Sequence, residues 1–221
     1  MRAVIFDIDG TLLDSVDLHG RAWVEAFAHF GVETDQTEVR RQIGKGGDEL
    51  MPVFLPRERL AREGGAIESY RSDLFKRKYL SEVRPFPAVR PLFERIRVGG
   101  LKIALASSGK RAEVERYQEI LQIGDLVDVA TSSDDADRSK PHPDIFEAAV
   151  KKFGGIDKDA MIVVGDTPYD AEAAGKAGLR TIGMLCGGFP EAELSAAGCV
   201  KIYRDPQDLL DGFDDSLLAS T

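Results

Sequence analysis

The chain has 221 residues, enough for one good core or for a core with a smaller domain inserted in it. Its formal net charge is -9 with a pI near 5.0, and no basic block offsets it, which excludes nucleic acid and anionic membrane surfaces as partners. No apolar run is long enough to cross a bilayer, and Cys186 and Cys199 form no disulfide or metal-ligand framework, so a reducing cytoplasm is expected.

Ala3–Phe6 is the first short apolar run, and without a basic stretch before a long apolar one it reads as a strand, not a signal peptide. Directly after it stand two carboxylates, Asp7 and Asp9, in the stretch FDIDGTLLDS. In a strand extended through Asp9 they would point into the same space. Gly10 then allows a tight turn open to a ligand. Asp14 or Ser15 is placed to cap a helix running to Phe30, with Trp23, Phe27 and Phe30 packing on one face and Gly31 as its stop. Arg57–Ala66 and Glu68–Tyr79 read as two more helices. From Val16 to Val83 there is no strand pattern.

Pro85-Phe86-Pro87 marks the return of a strand-and-helix rhythm. Apolar runs at Lys102–Ala106, Val127–Thr131, Met161–Val164, Thr181–Leu185 and Val200–Tyr203 suit strands buried on both faces. Helical patterns lie between them at Arg111–Leu121, Pro143–Phe153 and Tyr169–Ala177. Such alternation implies right-handed βαβ units in an α/β fold with a doubly wound parallel sheet. The predicted organisation is a Rossmann-like core from residues 1–15 and 84–221, with a helical domain of residues 16–83 inserted after the first strand.

Ligands of open parallel sheets bind beyond the carboxyl ends of the strands, and the informative residues fall there. Ser107 and Ser108 follow one apolar run and precede a helix, which makes a natural anion site. Lys140, between Ser139 and Pro141, can offer fixed positive charge to a phosphate oxygen. Asp166 ends another strand as Asp7 does, and Asp170 follows four residues later. Three carboxylates at one sheet edge need a cation, and Mg²⁺ suits them. With that charge offset, Asp7 is the expected nucleophile, forming an aspartyl-phosphate, and Asp9 the acid for the leaving alcohol and then the base for water.

Asp7-Ile8-Asp9-Gly10-Thr11, Ser107, Lys140 and Gly165-Asp166 with Asp170 together resemble, in order, the four motifs of the haloacid dehalogenase superfamily. That resemblance implies a Rossmann-like core with a helical cap. It implies Mg²⁺ held by Asp7, Asp166 and the Asp9 main-chain carbonyl, and phosphate held by Thr11, Ser107, the Ser108 backbone and Lys140. It also gives Asp170 the task of orienting Lys140 or a metal-bound water. The dehalogenase branch lacks an acid at the position of Asp9, so its presence favours phosphoryl chemistry. The stretch LHGRAW, Leu18–Trp23, looks like the β-phosphoglucomutase branch and makes His19 a candidate at the hinge. That branch carries a phosphate-gripping Arg in a cap loop; here the loop is Ile43-Gly44-Lys45-Gly46-Gly47-Asp48, with Lys45 the candidate contact.

The expected function is therefore a Mg²⁺-dependent phosphatase for a small phosphorylated metabolite such as phosphoglycolate or a sugar phosphate, monomeric and cytoplasmic. A sugar-phosphate mutase is the first alternative, which the missing cap Arg opposes, and a non-enzymatic binding protein on the same scaffold is the second. Arg57, Arg59, Arg62, Arg71, Lys76, Arg77 and Lys78 read as a solvated helix face, Asp134, Asp135 and Asp137 as a loop cluster, Gly187-Gly188 as a turn and both cysteines as packing residues.

Overall fold

A computed structural model describes residues 1–219. The chain forms β1 (Ala3–Phe6), β2 (Leu13–Asp14), α1 (Val16–His29), α2 (Gln36–Arg40), α3 (Gly47–Phe54) and α4 (Arg57–Leu74). Next come β3 (Arg84–Pro85), α5 (Val89–Val98), β4 (Lys102–Ala106), α6 (Arg111–Leu121), β5 (Val129–Thr131) and α7 (Asp144–Phe153). It closes with β6 (Met161–Gly165), α8 (Pro168–Lys176), β7 (Arg180–Met184), α9 (Glu191–Ala196), β8 (Cys199–Tyr203) and α10 (Pro206–Asp211).

The main sheet has six strands in the order β5-β4-β1-β6-β7-β8, all pairs parallel. The chain builds outward from β1 to β4 and β5, then returns to the other side of β1 with β6. The order reverses between β1 and β6, and a parallel sheet opens its ligand crevice at such a point. Both faces of the sheet are buried, and β1 shows why its run is unbroken. Val4 and Phe6 join the cluster of Phe93, Leu105 and Tyr117, whereas Ala3 and Ile5 join that of Phe146, Ala149 and Val163.

A helical segment separates β2 from β3, which pair antiparallel as a short ribbon at its root. It has a core of its own, with Trp23, Phe27, Val39, Leu50 and Ile67 buried together. The sequence pattern divided residues 57–79 into two helices at Ile67. Instead α4 runs unbroken through Leu74 and passes into a π-helical turn at Phe75–Tyr79. Ile67 is fully buried in the insertion's core, and Gly64 leaves room for the side chain of Leu60, one turn earlier on the same helix. Tertiary packing thus overrides the weak helix propensity of Gly64-Gly65.

Candidate active site

β1 ends at Phe6, so strand alternation does not place Asp9 beside Asp7. A turn does. Gly10 takes a left-handed φ of 86°, and its N–H donates to the Leu13 carbonyl at 2.8 Å. The turn folds Asp9 back over the strand end, and both acids line one cleft. Asp7 N–H bonds the Val164 carbonyl of β6 at 2.9 Å, which fixes Asp7 at the β1/β6 reversal beside Asp166.

Lys140 is fully buried against Asp7. Its ammonium donates to Asp7 Oδ1 and, at 3.2 Å, to the Ala106 carbonyl, and forms an ion pair with Asp170 Oδ1 at 2.8 Å. Burial alone would lower its pKa, but Asp170 and Asp7 outweigh burial and hold the lysine charged. Burial, with Asp170 and Asp9 nearby, pushes Asp7 up to about 7 against the opposing pull of Lys140. Asp166 is also pushed well up, first by burial and then by Asp7 and Asp170.

Asp7, Asp166 and Asp170 each present an oxygen within 4.8 Å of the others, all three buried. One lysine does not balance three carboxylates. Asp166 Oδ1 accepts from Thr11 Oγ1 at 2.8 Å, while its Oδ2 is buried with no hydrogen-bond partner. A buried orphan oxygen in an all-carboxylate set fits a hard divalent cation such as Mg²⁺. Thr11, expected on the phosphate, here turns its hydroxyl to Asp166 and, at 3.5 Å, to Asp7.

Asp9 has a different environment. Its Oδ1 accepts from Ser15 Oγ at 2.6 Å and faces His19 Nε2 at 3.0 Å. Burial would raise its pKa, but His19, Ser15 and Arg71 together bring it below the usual carboxylate range. Ser15 occupies the N-cap position of α1 yet makes no side-chain cap bond, because its hydroxyl is given to Asp9. His19 is buried, stacks on Phe75 with ring centroids 4.0 Å apart, and lies 3.0 Å from the Tyr117 hydroxyl. Sequence reasoning placed His19 at the hinge but missed Ser15 and Tyr117; the first looked like a cap, the second like a core aromatic.

The turn after β4 carries the serines. Ser107 is buried and its Oγ accepts the Gly109 N–H at 3.0 Å, while Ser108 lines the cleft and donates to the Gly44 carbonyl at 3.3 Å. That bond joins the turn to the helical insertion. Lys45 also lines the cleft, but its amine is held by Gln42 at 2.7 Å and lies over the Tyr169 ring. Arg71 corrects the reading of its helix as a solvated face. It sits over the Trp23 ring at 4.9 Å, its Nε is buried without a hydrogen-bond partner, and it lines the cleft with Glu68 and Ser72. The spacing of Glu68, Arg71 and Ser72 put them on one helix face, the signal that could have found them. The cleft is open to solvent.

The profile of the haloacid dehalogenase-like hydrolases matches residues 4–184. The chain belongs to that family. The hydrolase is 32% identical to the phosphoglycolate phosphatase of Yersinia pseudotuberculosis, over 85% of this chain and 82% of that protein. It is 31% identical to the chloroplastic protein SUPPRESSOR OF QUENCHING 1 of Arabidopsis thaliana, where 99% of the hydrolase spans only 21% of the longer protein. A crystal structure of a hydrolase from Pseudomonas syringae superposes on it with a TM-score of 0.89 at 29% identity, covering 100% of both chains.

Proposed function

We propose that this hydrolase is a Mg²⁺-dependent phosphatase that cleaves a small phosphorylated metabolite, phosphoglycolate or a sugar phosphate, through an aspartyl-phosphate on Asp7. One observation carries the reading: Asp7 and Asp9 share one cleft but stand in opposite surroundings. Asp7 is buried against Lys140 and is held for attack; Asp9 is tied at Oδ1 only, and its other oxygen is free of protein hydrogen bonds among the described residues. Two carboxylates with divergent environments are what a nucleophile and a proton carrier require.

Asp7, Asp166 and Asp170, with the Asp9 main-chain carbonyl that the resemblance implies, would hold Mg²⁺, which when bound supplies charge to offset the phosphate dianion. Ser107, the Ser108 backbone, Thr11 and Lys140 would bind the transferring group, with Asp170 steadying Lys140. The dianion beside Asp9 opposes its negative charge and favours the protonated acid. As Asp7 Oδ bonds to phosphorus, the bond from phosphorus to the ester oxygen breaks and that oxygen takes the proton of Asp9. Asp9 then takes a proton from water, which attacks the phosphorus and releases Asp7. Residues 16–83 would act as the cap over a core of residues 1–15 and 84–221, with hinges near Leu13–Val16 and Val83–Pro87. We take the protein as a cytoplasmic monomer; no described helix is long and apolar enough to cross a membrane.

The test is release of inorganic phosphate, with Mg²⁺ and with EDTA, across a panel of phosphorylated metabolites. Mg²⁺-dependent release is expected. No release from any ester would overturn the reading and turn the assignment to the mutase, tested below, or to the non-enzymatic binding protein.

Arg71 favours a second reading. A sugar-phosphate mutase must hold a second phosphate in the cap, and this guanidinium, absent from the expected loop, faces the cleft from α4. Conversion of a hexose 1-phosphate to the 6-phosphate with a trace of bisphosphate would establish it.

A further inference from the structure

A chain of side chains runs from the cleft into the core behind Asp9. Glu113 and Tyr117, one turn apart on α6, are joined by the Tyr117 hydroxyl, 3.1 Å from Glu113 Oε1. Tyr117 is fully buried, and its oxygen is 3.0 Å from His19 Nε2, the nitrogen that also faces Asp9 Oδ1 at 3.0 Å. The directions of these bonds follow from donor and acceptor capacity. An ionised Glu113 only accepts, so the phenol proton goes to it and the Tyr117 oxygen becomes an acceptor. Asp9 Oδ1 is an acceptor too. The proton of His19 therefore sits on Nε2, shared by two acceptors. His19 Nδ1 is buried with no partner, which an imidazole lone pair tolerates better than an N–H would. Phe75, stacked 3° from parallel with His19, holds the ring plane.

We propose that Tyr117 and Glu113 are positioning residues for the proton-transfer step, holding His19 so that Asp9 keeps Oδ2 toward the leaving oxygen. The proposal rests on the phosphatase reading above. Oδ1 is committed to Ser15 and His19, so only Oδ2 is left to carry a proton into the cleft. Without the Tyr117 hydroxyl the Nε2 proton keeps Asp9 Oδ1 as its acceptor, but the ring loses its second anchor and can shift together with Oδ1, so that Oδ2 is no longer held toward the leaving oxygen. α6 thus orients Asp9 without touching the substrate's reacting atoms. Glu113 itself lines the cleft, so the chain starts and ends at the site.

The test uses the dependence on the leaving group. p-Nitrophenolate departs without a proton; an alkoxide does not. kcat/KM covers steps only through release of the alcohol, so it isolates the acid role from the later attack of water. We compare p-nitrophenyl phosphate with whichever of phosphoglycolate or glucose 6-phosphate the wild type cleaves faster. Tyr117→Phe is expected to lower kcat/KM for the alkyl ester by about tenfold or more while leaving the aryl ester within about twofold. Glu113→Ala, on a half-buried residue, should show the same split, and Glu113→Gln should restore most of the loss because its amide oxygen still accepts from Tyr117. Thermal melts report whether each variant folds. Equal losses for both esters, or no loss for either, would overturn the proposal by making Tyr117 structural. A wild type inactive on every ester of the panel would instead overturn the phosphatase reading beneath it.

Discussion

Gly187 stands so close to Asp166 that a Cβ built on it would overlap Asp166 Oδ2. Gly10 crowds the same oxygen. Gly187 is held in place by two contacts: the thiol of its neighbour Cys186 is 3.1 Å from the Gly10 carbonyl, and Arg40 Nη2 donates to the Gly187 carbonyl at 3.1 Å. At Oδ2, Asp166 is therefore closely approached by the backbone of two glycines.

Gly187→Ala should displace Asp166 and weaken Mg²⁺ binding by about 10–100-fold, the usual effect of disturbing the groups around a ligand. Calorimetric titration of the protein with Mg²⁺ measures this directly. An unchanged affinity would show that Asp166 does not take part.

Asp7→Asn should lower kcat by at least about 10³, since a neutral amide replaces the proposed nucleophile. The fold should survive. Lys140 keeps Asp170 at 2.8 Å, and one charge of a crowded acidic group is gone. A phosphate-release assay with a thermal melt alongside reads both effects; wild-type turnover in this variant would exclude Asp7 as nucleophile.

Acidity and metal binding are linked at this site. Asp7 is raised to about 7 and Asp166 well above its ordinary value, each first by burial. Unfolded, both titrate near about 4. Between those values the folded protein holds more protons than the unfolded chain, so their contribution to metal-free stability is present at low pH and lost as pH rises. On the proposed reading, Mg²⁺ would bind the ionised carboxylates and displace those protons. The rise in Tm on adding Mg²⁺ should thus be larger near about pH 7.5 than near about pH 5. Thermal melts at the two pH values, with and without EDTA, decide it; an equal rise at both would contradict the linkage.

Arg71 should govern affinity more than turnover. Its Nε has no hydrogen-bond partner in the cleft, and a charge-assisted bond to a substrate oxygen is worth about 1.5–3 kcal/mol. Arg71→Ala is expected to raise KM by roughly 10–100-fold with a smaller change in kcat, and Arg71→Lys to recover part of it, a point charge lacking the guanidinium fork. Steady-state kinetics on the best substrate of the panel supply the numbers. A KM unmoved by Arg71→Ala would return that residue to the solvated face.

Much of the core was legible because its signals are local. The run at Met161–Val164 reads as a buried strand, and the structure extends it by Gly165. The helix at Arg111–Leu121 is found with the same bounds. The acids, the lysine and the serines follow strand ends, where a doubly wound sheet gathers them. The break at Ile67 was misplaced because local propensity was weighed without the insertion's core. Arg71, Ser15 and Tyr117 went unseen for a related reason. Each belongs to an ordinary pattern in its own element, a charged helix, a cap and a core face, and gains its place only from what another element brings to it.

By itself, the sequence determined the alternation of strand and helix, the helical insertion and the order of the acidic, hydroxyl and basic residues along the chain. Periodicity and turn chemistry act over a few residues, and these features need no more. Only the tertiary structure decided which atoms meet: Lys140 between Asp7 and Asp170, Thr11 on Asp166, His19 between Asp9 and Tyr117. Asp7 and Lys140 lie 133 positions apart in the chain, and their contact depends on the return of β6 beside β1 and on burial that removes water from between them.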